Sequence, residues 1–518
     1  MRKADYIKRL LMAAALAAAV FAPAAVLPAC GGKSTPAVDV SIEQSILELE
    51  EGCQTQIGFT LPDGLAEWKS SDESVAVCEN GTVTALAAGR AVITLTCGDS
   101  ADSVNVSVTG DVCGEAEKEI LSVVSNGADI PYLRELSERL GRCGSDRAAK
   151  LAALTGALLG YADGAGNRDA LYSAAAESGI DEAVCLDAAE VCFAAGKGAQ
   201  HAAVFSFTGD CTLAACNEDF KQPYFPAVYK AQDSLTYPFD RVKALFHNDT
   251  LTVINFEGTL TERSAYVRKS FYFRGLPEYA DILPASGIEA ANLANNHAAD
   301  YLGDGYSDTL QYLTEAGVTV FDEKHVSEYT ASTPDGDIRV VLLSFSMIDN
   351  TRYFPDEGIK ALMSEYRSRP DTLVVVSVHA GIEYQEAPEE SQLSFCRAMI
   401  DEGADIVIGH HPHIIQGIEY YNGGYIAYSL GNFSFGGNPA ATNPETFILQ
   451  AGADFADGEA KITDIWMIPC SMTSTGTSVN NYQPCFRHGE AADKCAALLL
   501  RRSEPLEYGV KDLGRSGI

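Results

Sequence analysis

The chain of 518 residues holds just two tryptophans and seven methionines, and its 37 basic residues are far outnumbered by 71 acidic ones. The net charge of −34 sets it against polyanions, which excludes sequence-independent binding of DNA or RNA. None of the 14 cysteines forms a CxxC pair, so neither a zinc ribbon nor a thioredoxin-like redox site is expected. Beyond the first thirty residues no stretch is long and apolar enough to span a bilayer. Against these shortages stand 47% hydrophobic residues, ample for packed cores, and a length that implies about three domains.

The N-terminus reads as an export signal. Arg2, Lys3, Lys8 and Arg9 supply positive charge, Leu10 to Val26 is an alanine-rich apolar run, and Leu27-Pro28-Ala29-Cys30-Gly31-Gly32 follows. The Ala29-Cys30 junction resembles the bacterial lipoprotein box, which implies lipidation of Cys30 and an extracytoplasmic chain anchored to the cell membrane. An uncleaved membrane anchor is the alternative. Residues 1–30 are expected to be the signal peptide and 31–37 a polar linker. Without Cys30, thirteen cysteines remain, and the sequence leaves their pairing open. Many fit equally well as small buried apolar residues.

From 38 to 110 short alternating runs predict a small β-sandwich: Ile46 to Leu49, Gln56 to Phe59, Val83 to Leu86 and Ala91 to Thr96, with Asn80-Gly81 and Ala88-Gly89 between them. The stretch Trp68 to Ala76, followed by Asn80-Gly-Thr-Val-Thr-Ala-Leu-Ala-Ala-Gly89, resembles the bacterial Ig-like domain of surface proteins. That likeness implies a spacer or an adhesive module. Residues 111–200 change to helical spacing, with Ile130, Leu133, Leu136 and Leu140, then Leu151, Leu154 and Leu158. Ser145-Asp146 and Asp181 stand where helix caps belong. A small helical connecting bundle is expected, with no clear repeat period.

After His201 short apolar runs alternate with amphipathic segments. Val204–Phe207, Leu251–Asn255, Ile288–Leu293, Val340–Phe345, Leu373–Val378 and Ile406–Ile408 read as strands. Ser307–Ala316, Ile359–Arg367 and Ser391–Glu402 read as helices. This predicts an α/β fold with helices on both sheet faces and a tail at 509–518. Ligands in such folds sit beyond the carboxyl ends of strands. Asp210, Glu257, Asn296, His297, His379, His411 and His413 follow that rule. Five of the nine histidines belong to these clusters, at 297, 379, 410, 411 and 413.

Imidazoles and carboxylates together suit one or two divalent ions, with Mn, Fe or Zn fitting about equally. Water whose pKa is lowered by the metal is then the nucleophile, and His297 is placed to protonate a leaving group. Singly, each residue has a plainer role: Asp210 or Glu257 as loop or capping carboxylates, His297 as a structural histidine. His410 is expected to be structural or to support the ligands.

Six ordered motifs strengthen the functional reading. They are Phe207-Thr-Gly-Asp-Cys-Thr-Leu213, Asn255-Phe-Glu-Gly-Thr-Leu-Thr261, Asn292-Leu-Ala-Asn-Asn-His-Ala-Ala-Asp-Tyr301, Val378-His-Ala-Gly-Ile-Glu-Tyr384, Gly403 to His413 and Tyr428-Ser-Leu-Gly-Asn-Phe433. Together they resemble the CapA family of capsule-synthesis and poly-gamma-glutamate biosynthesis proteins, from about Val204 to Pro469. The resemblance implies a calcineurin-like metallophosphatase sandwich over 201–508. It also implies an extracytoplasmic role in making, exporting or anchoring an anionic envelope polymer such as poly-gamma-glutamate, alongside capsule synthesis membrane proteins.

Carried over residue by residue, it implies Asp210, Glu257, Asn296, His379, His411 and His413 as metal ligands and His297 as proton donor. Asp300 and Glu383 are expected to orient them, as is Asn432, which is also a candidate substrate contact. The sequence departs from the calcineurin-like pattern where Asp210-Cys211-Thr212 lacks a histidine and where Glu257 replaces an aspartate. One firm metal position and one weak one are therefore expected. Arg263, Arg268, Lys269 and Arg274 cluster around Phe271-Tyr-Phe273, and Arg268 and Arg274 are candidate contacts to anionic substrate. A solvated charged strand is the plainer alternative. Three functions remain open: hydrolysis of a phosphoester or polymer linkage, a non-catalytic scaffold of a capsule assembly complex with a structural metal, or an adhesin whose Ig-like module carries the rest as a passenger.

Overall fold

The computed structural model describes residues 39–61, 66–221, 223–348 and 357–518. The expected signal peptide, the expected linker and Cys30 lie outside them. Among the described residues no helix is long and apolar enough to cross a membrane.

The first module is the expected β-sandwich. Its larger sheet orders Ile46–Glu50, Ser100–Thr109, Gly89–Cys97 and Ala66–Ser70, and a second sheet holds Gln54–Gln56, Thr82–Ala85 and Ala76–Glu79. Asn80 and Gly81 both take positive φ, 50° and 81°, as a two-residue hairpin between Ala76–Glu79 and Thr82–Ala85 requires. Alternate residues Val104, Val106 and Val108 turn inward to meet Ile93 and Leu95.

Five helices follow, at Val112–Asn126, Ile130–Arg142, Asp146–Ala162, Arg168–Ser178 and Glu182–Gly198. Asp111, Asp129, Ser145, Asn167 and Asp181 each cap one of them with a side-chain oxygen, which satisfies amides that the first turn leaves free. Cys53 of the β-sandwich is disulfide-bonded to Cys143 at the end of the second helix. Beside it Arg139 pairs with Glu50 at 2.8 Å and with Glu115 at 2.8 Å, and Gln54 and Gly144 exchange hydrogen bonds. Most of the other described cysteines are buried thiols.

The main domain is the α/β sandwich that the resemblance implies. Two sheets lie face to face, each with helices on its outer side. In the first, Ala203–Thr212, Leu251–Phe256, Ala290–Asn292 and Thr319–Phe321 run parallel, and Glu445–Ala456 and Glu459–Ser471 extend it antiparallel. In the second, Gly336–Ser346, Thr372–His379, Ile406–His410 and Gly424–Ala427 run parallel. Side-chain alternation shows the layering. Phe205, Phe207, Val253, Leu373, Val375, Ile406 and Ile408 share the core between the sheets. Val204, Ile254 and Ala291 face outward into a core shared with the helical bundle. Val374, Val376, Val378 and Val407 face Met363, Phe395, Met399 and Ile400 of the helices Glu357–Arg367 and Glu390–Asp401.

Residues 509–518 are not a free tail. Val510 donates to Ile418 O, Met467 N donates to Leu513 O, and Leu513 and Ile518 are buried.

Candidate metal centre

The parallel strands of both sheets end on one side of the domain, and the expected site residues gather there. Asp210 lies two residues before the end of the strand Ala203–Thr212, and its backbone N–H donates to Gly431 O at 2.9 Å. Gly209 makes that approach possible, since a Cβ on it would meet Gly431 O at 2.0 Å. Gly409 serves the same purpose beside Tyr428 O, also at 2.0 Å. His411 and His413 follow the strand Ile406–His410 with φ of 97° and 59°. Such backbone is sparsely populated for residues other than glycine and costs on the order of 1–3 kcal/mol each. Here it turns both imidazoles toward the site, with ring centroids 5.9 Å apart.

Asp210 is fully buried. Its carboxylate accepts from Asn255 Nδ2 at 2.9 Å and lies 3.2 Å from His410 Nδ1 and 3.0 Å from His413 Nδ1. Burial opposes its charge, but His410 and His413 outweigh that and hold the carboxyl well below its ordinary value. Glu257 is also buried, and neither of its carboxylate oxygens has a hydrogen-bond partner. Burial first, and then the charge of Asp210, push it up to about 8. His379 Nε2 meets Asn296 Oδ1 at 2.8 Å, and burial and then His411 hold this imidazole well below its ordinary value. Burial also lowers His411, to about 4, and its Nδ1 has no partner. His413 is the exception: burial works against its charge, but Glu257 and Asp210 raise it to about 9.

Two groups of donors converge. Asp210, Glu257 and His379 offer atoms within 4.8 Å of one another, as do Glu383, His411 and His413. His413 also lies 3.9 Å from Glu257, which brings the two groups close. The residues fit a divalent cation. Two carboxylate oxygens and an imidazole nitrogen are buried without partners, an arrangement that is costly unless a cation or proton occupies it.

Glu383, expected to orient the ligands, is exposed and brings a carboxylate oxygen within 4.8 Å of the donor nitrogens of His411 and His413. Asn432 Oδ1 accepts from His413 Nδ1 at 2.9 Å, so its contact is with an imidazole. His297 Nε2 lies 3.8 Å from Glu257, and its Nδ1 lies 2.8 Å from Asp300 Oδ2, which also accepts from Phe273 N at 2.7 Å. Burial lowers His297 from its ordinary value.

The basic cluster is mostly engaged internally. Arg263 pairs with Asp304 and Asp308. Arg274 donates to Arg263 O at 3.0 Å and lies 3.4 Å from Glu218. Arg268 is exposed and makes no ion pair among the described residues.

Sequence reasoning missed Asn255, Asn292 and Asn295. Asn255 Oδ1 accepts from Asn292 and Asn295 while its Nδ2 serves Asp210. The available signal was an asparagine inside the apolar run Leu251–Phe256, since a buried amide must have partners.

Residues 204–437 match the family described as bacterial capsule synthesis protein PGA_cap, and residues 39–108 match bacterial Ig-like domain (group 2). The chain is similar to PGA biosynthesis protein CapA of Bacillus subtilis (strain 168), with 30% identity over 44% of this chain and 62% of that protein. It is similar to capsule biosynthesis protein CapA of Bacillus anthracis, with 31% identity over 38% and 54% of the two chains. It thus spans less than two thirds of the length of either relative. A solved calcineurin-like phosphoesterase, YfkN from Bacillus subtilis, is a distant likeness with a TM-score of 0.32 and 14% identity, over 57% of this chain and 95% of its own.

Proposed function

Since residues 204–437 belong to the bacterial capsule synthesis protein family and residues 39–108 are a bacterial Ig-like domain, we propose that this chain is a membrane-tethered, metal-dependent hydrolase of the cell envelope. Its substrate is an anionic polymer such as poly-gamma-glutamate or a phosphoester attached to it. The observation that carries the reading is the convergence of Asp210, Glu257 and His379 beside Glu383, His411 and His413, with Glu257 buried and unpartnered.

Asp210, Glu257, Asn296, His379, His411 and His413 hold the cation in this reading, with Glu383 as a further donor. A bound divalent ion supplies Lewis-acid polarisation and a nucleophile available near neutral pH. The protein supplies position and a proton. Asp300 fixes His297 through Nδ1, which leaves Nε2 facing Glu257 and free to protonate a leaving group. Asn255 and Asn432 orient Asp210 and His413. Arg268 offers an unpaired guanidinium to incoming carboxylate or phosphate. Cys30 carries the lipid anchor.

The test uses the full chain: metal analysis and anomalous scattering at the site, then phosphodiester turnover by the wild type and His297→Ala. Bound metal with turnover that falls on substitution supports the hydrolase. Bound metal without turnover assigns the site to a structural role within a capsule assembly scaffold.

A further inference from the structure

The segment 262–272 has no regular structure and lies against the loop that carries Asn296 and His297. Its consecutive residues face opposite ways. Tyr266, Val267, Arg268 and Phe271 are exposed. Lys269 turns inward, with its side chain 28% exposed. Its Nζ donates to Asn296 O at 2.7 Å and pairs with the fully buried carboxylate of Asp300. The same carboxylate receives His297 Nδ1 and Phe273 N, and Asp300 O accepts from Val267 N at 2.8 Å. Asn296 Oδ1, one residue from His297, rests on His379 Nε2. Lys269 thus touches both ends of the turn from Asn296 to Asp300, and that turn presents a metal ligand at one end and a proton donor just beside it. A lysine that merely neutralised Asp300 would have no need of Asn296 O.

We propose that Lys269 is a positioning residue, which locks the 296–300 turn so that Asn296 and His297 face the donor cluster. The proposal rests on the metal-dependent reading of that site. It gives two basic neighbours different roles, with Arg268 facing outward toward a ligand and Lys269 facing inward to hold the turn.

The experiment uses full-length protein as Lys269→Met, Lys269→Gln and Arg268→Ala. Amide hydrogen exchange over 293–301 is measured without metal, and Mn²⁺ affinity is measured by calorimetry. Lys269→Met is expected to speed exchange of the 295–300 amides by about tenfold while the sheet strands keep wild-type protection. It should also weaken Mn²⁺ binding by about 10- to 100-fold, the usual cost of losing a group that orients a ligand. Lys269→Gln, which retains a donor for Asn296 O, should fall between Lys269→Met and wild type, and it decides the matter if Lys269→Met does not fold. Arg268→Ala should match wild type in both readouts. Wild-type exchange over 293–301 in the Lys269 variants overturns the proposal. A wild type that binds no Mn²⁺ overturns the metal reading instead, and the exchange data still decide the role of Lys269.

Discussion

Among the described residues, two buried clusters that join imidazole to carboxylate are built differently. At the junction of the helical bundle with the main domain, His488 Nε2 meets Asp187 at 2.8 Å and Ser516 donates to Glu190 at 2.8 Å. Glu190 Oε2 and His488 Nδ1 lack partners there, as atoms do in the candidate metal centre. The junction, however, has one imidazole, and its donors do not converge. Among the described residues, the groups of three or more donors that do converge are the two at the strand ends. Burial of a charged pair is thus weak evidence of a site, whereas several donors aimed at one point from different strands is strong evidence.

That contrast breaks most sharply at Asp210. Asp210→Ala should lower divalent-metal affinity by more than about 100-fold, and Asp187→Ala should leave it unchanged in the same calorimetric titration. His297→Ala should keep the metal stoichiometry and lose about 10²- to 10⁴-fold in phosphodiester turnover, as expected for a lost general acid. At the junction the consequence is stability. Burial pushes Glu190 up to about 7. An acid raised in this way leaves full stability below about pH 4.5, its ordinary range, and removes it as pH climbs through about 7. Glu190→Gln should therefore shrink the drop in urea-unfolding free energy between pH 5 and pH 8, by about 3 kcal/mol. The smallest effect belongs to Arg268→Ala: a loss of up to about fivefold in poly-gamma-glutamate binding at low salt, vanishing at high salt. Unchanged binding at low salt removes that residue from the substrate path.

The strand ends were legible because Leu373–Val378 and Ile406–Ile408 are apolar runs that stop at histidines, and Asp210 and Glu257 sit similarly after their own runs. The layering was legible through the family resemblance and not through the strand pattern. Strands buried on both faces, such as Thr372–His379, read as continuous valine, and nothing in that pattern says whether a face meets helices or a second sheet. The contributions of Lys269 and Asn255 were hidden for another reason. Each acts through partners distant in the chain, 27 residues away in the bond from Lys269 to Asn296. The pairing of Cys53 with Cys143 was equally out of reach, because thirteen candidate thiols permit many bridges and tertiary proximity selects among them.

The clamp of Cys53 to Cys143, reinforced by Arg139 and Glu50, has a mechanical consequence. A handle bolted at neighbouring points cannot pivot. Whatever surface or molecule grips residues 39–108 thereby also sets the direction in which the helices must face.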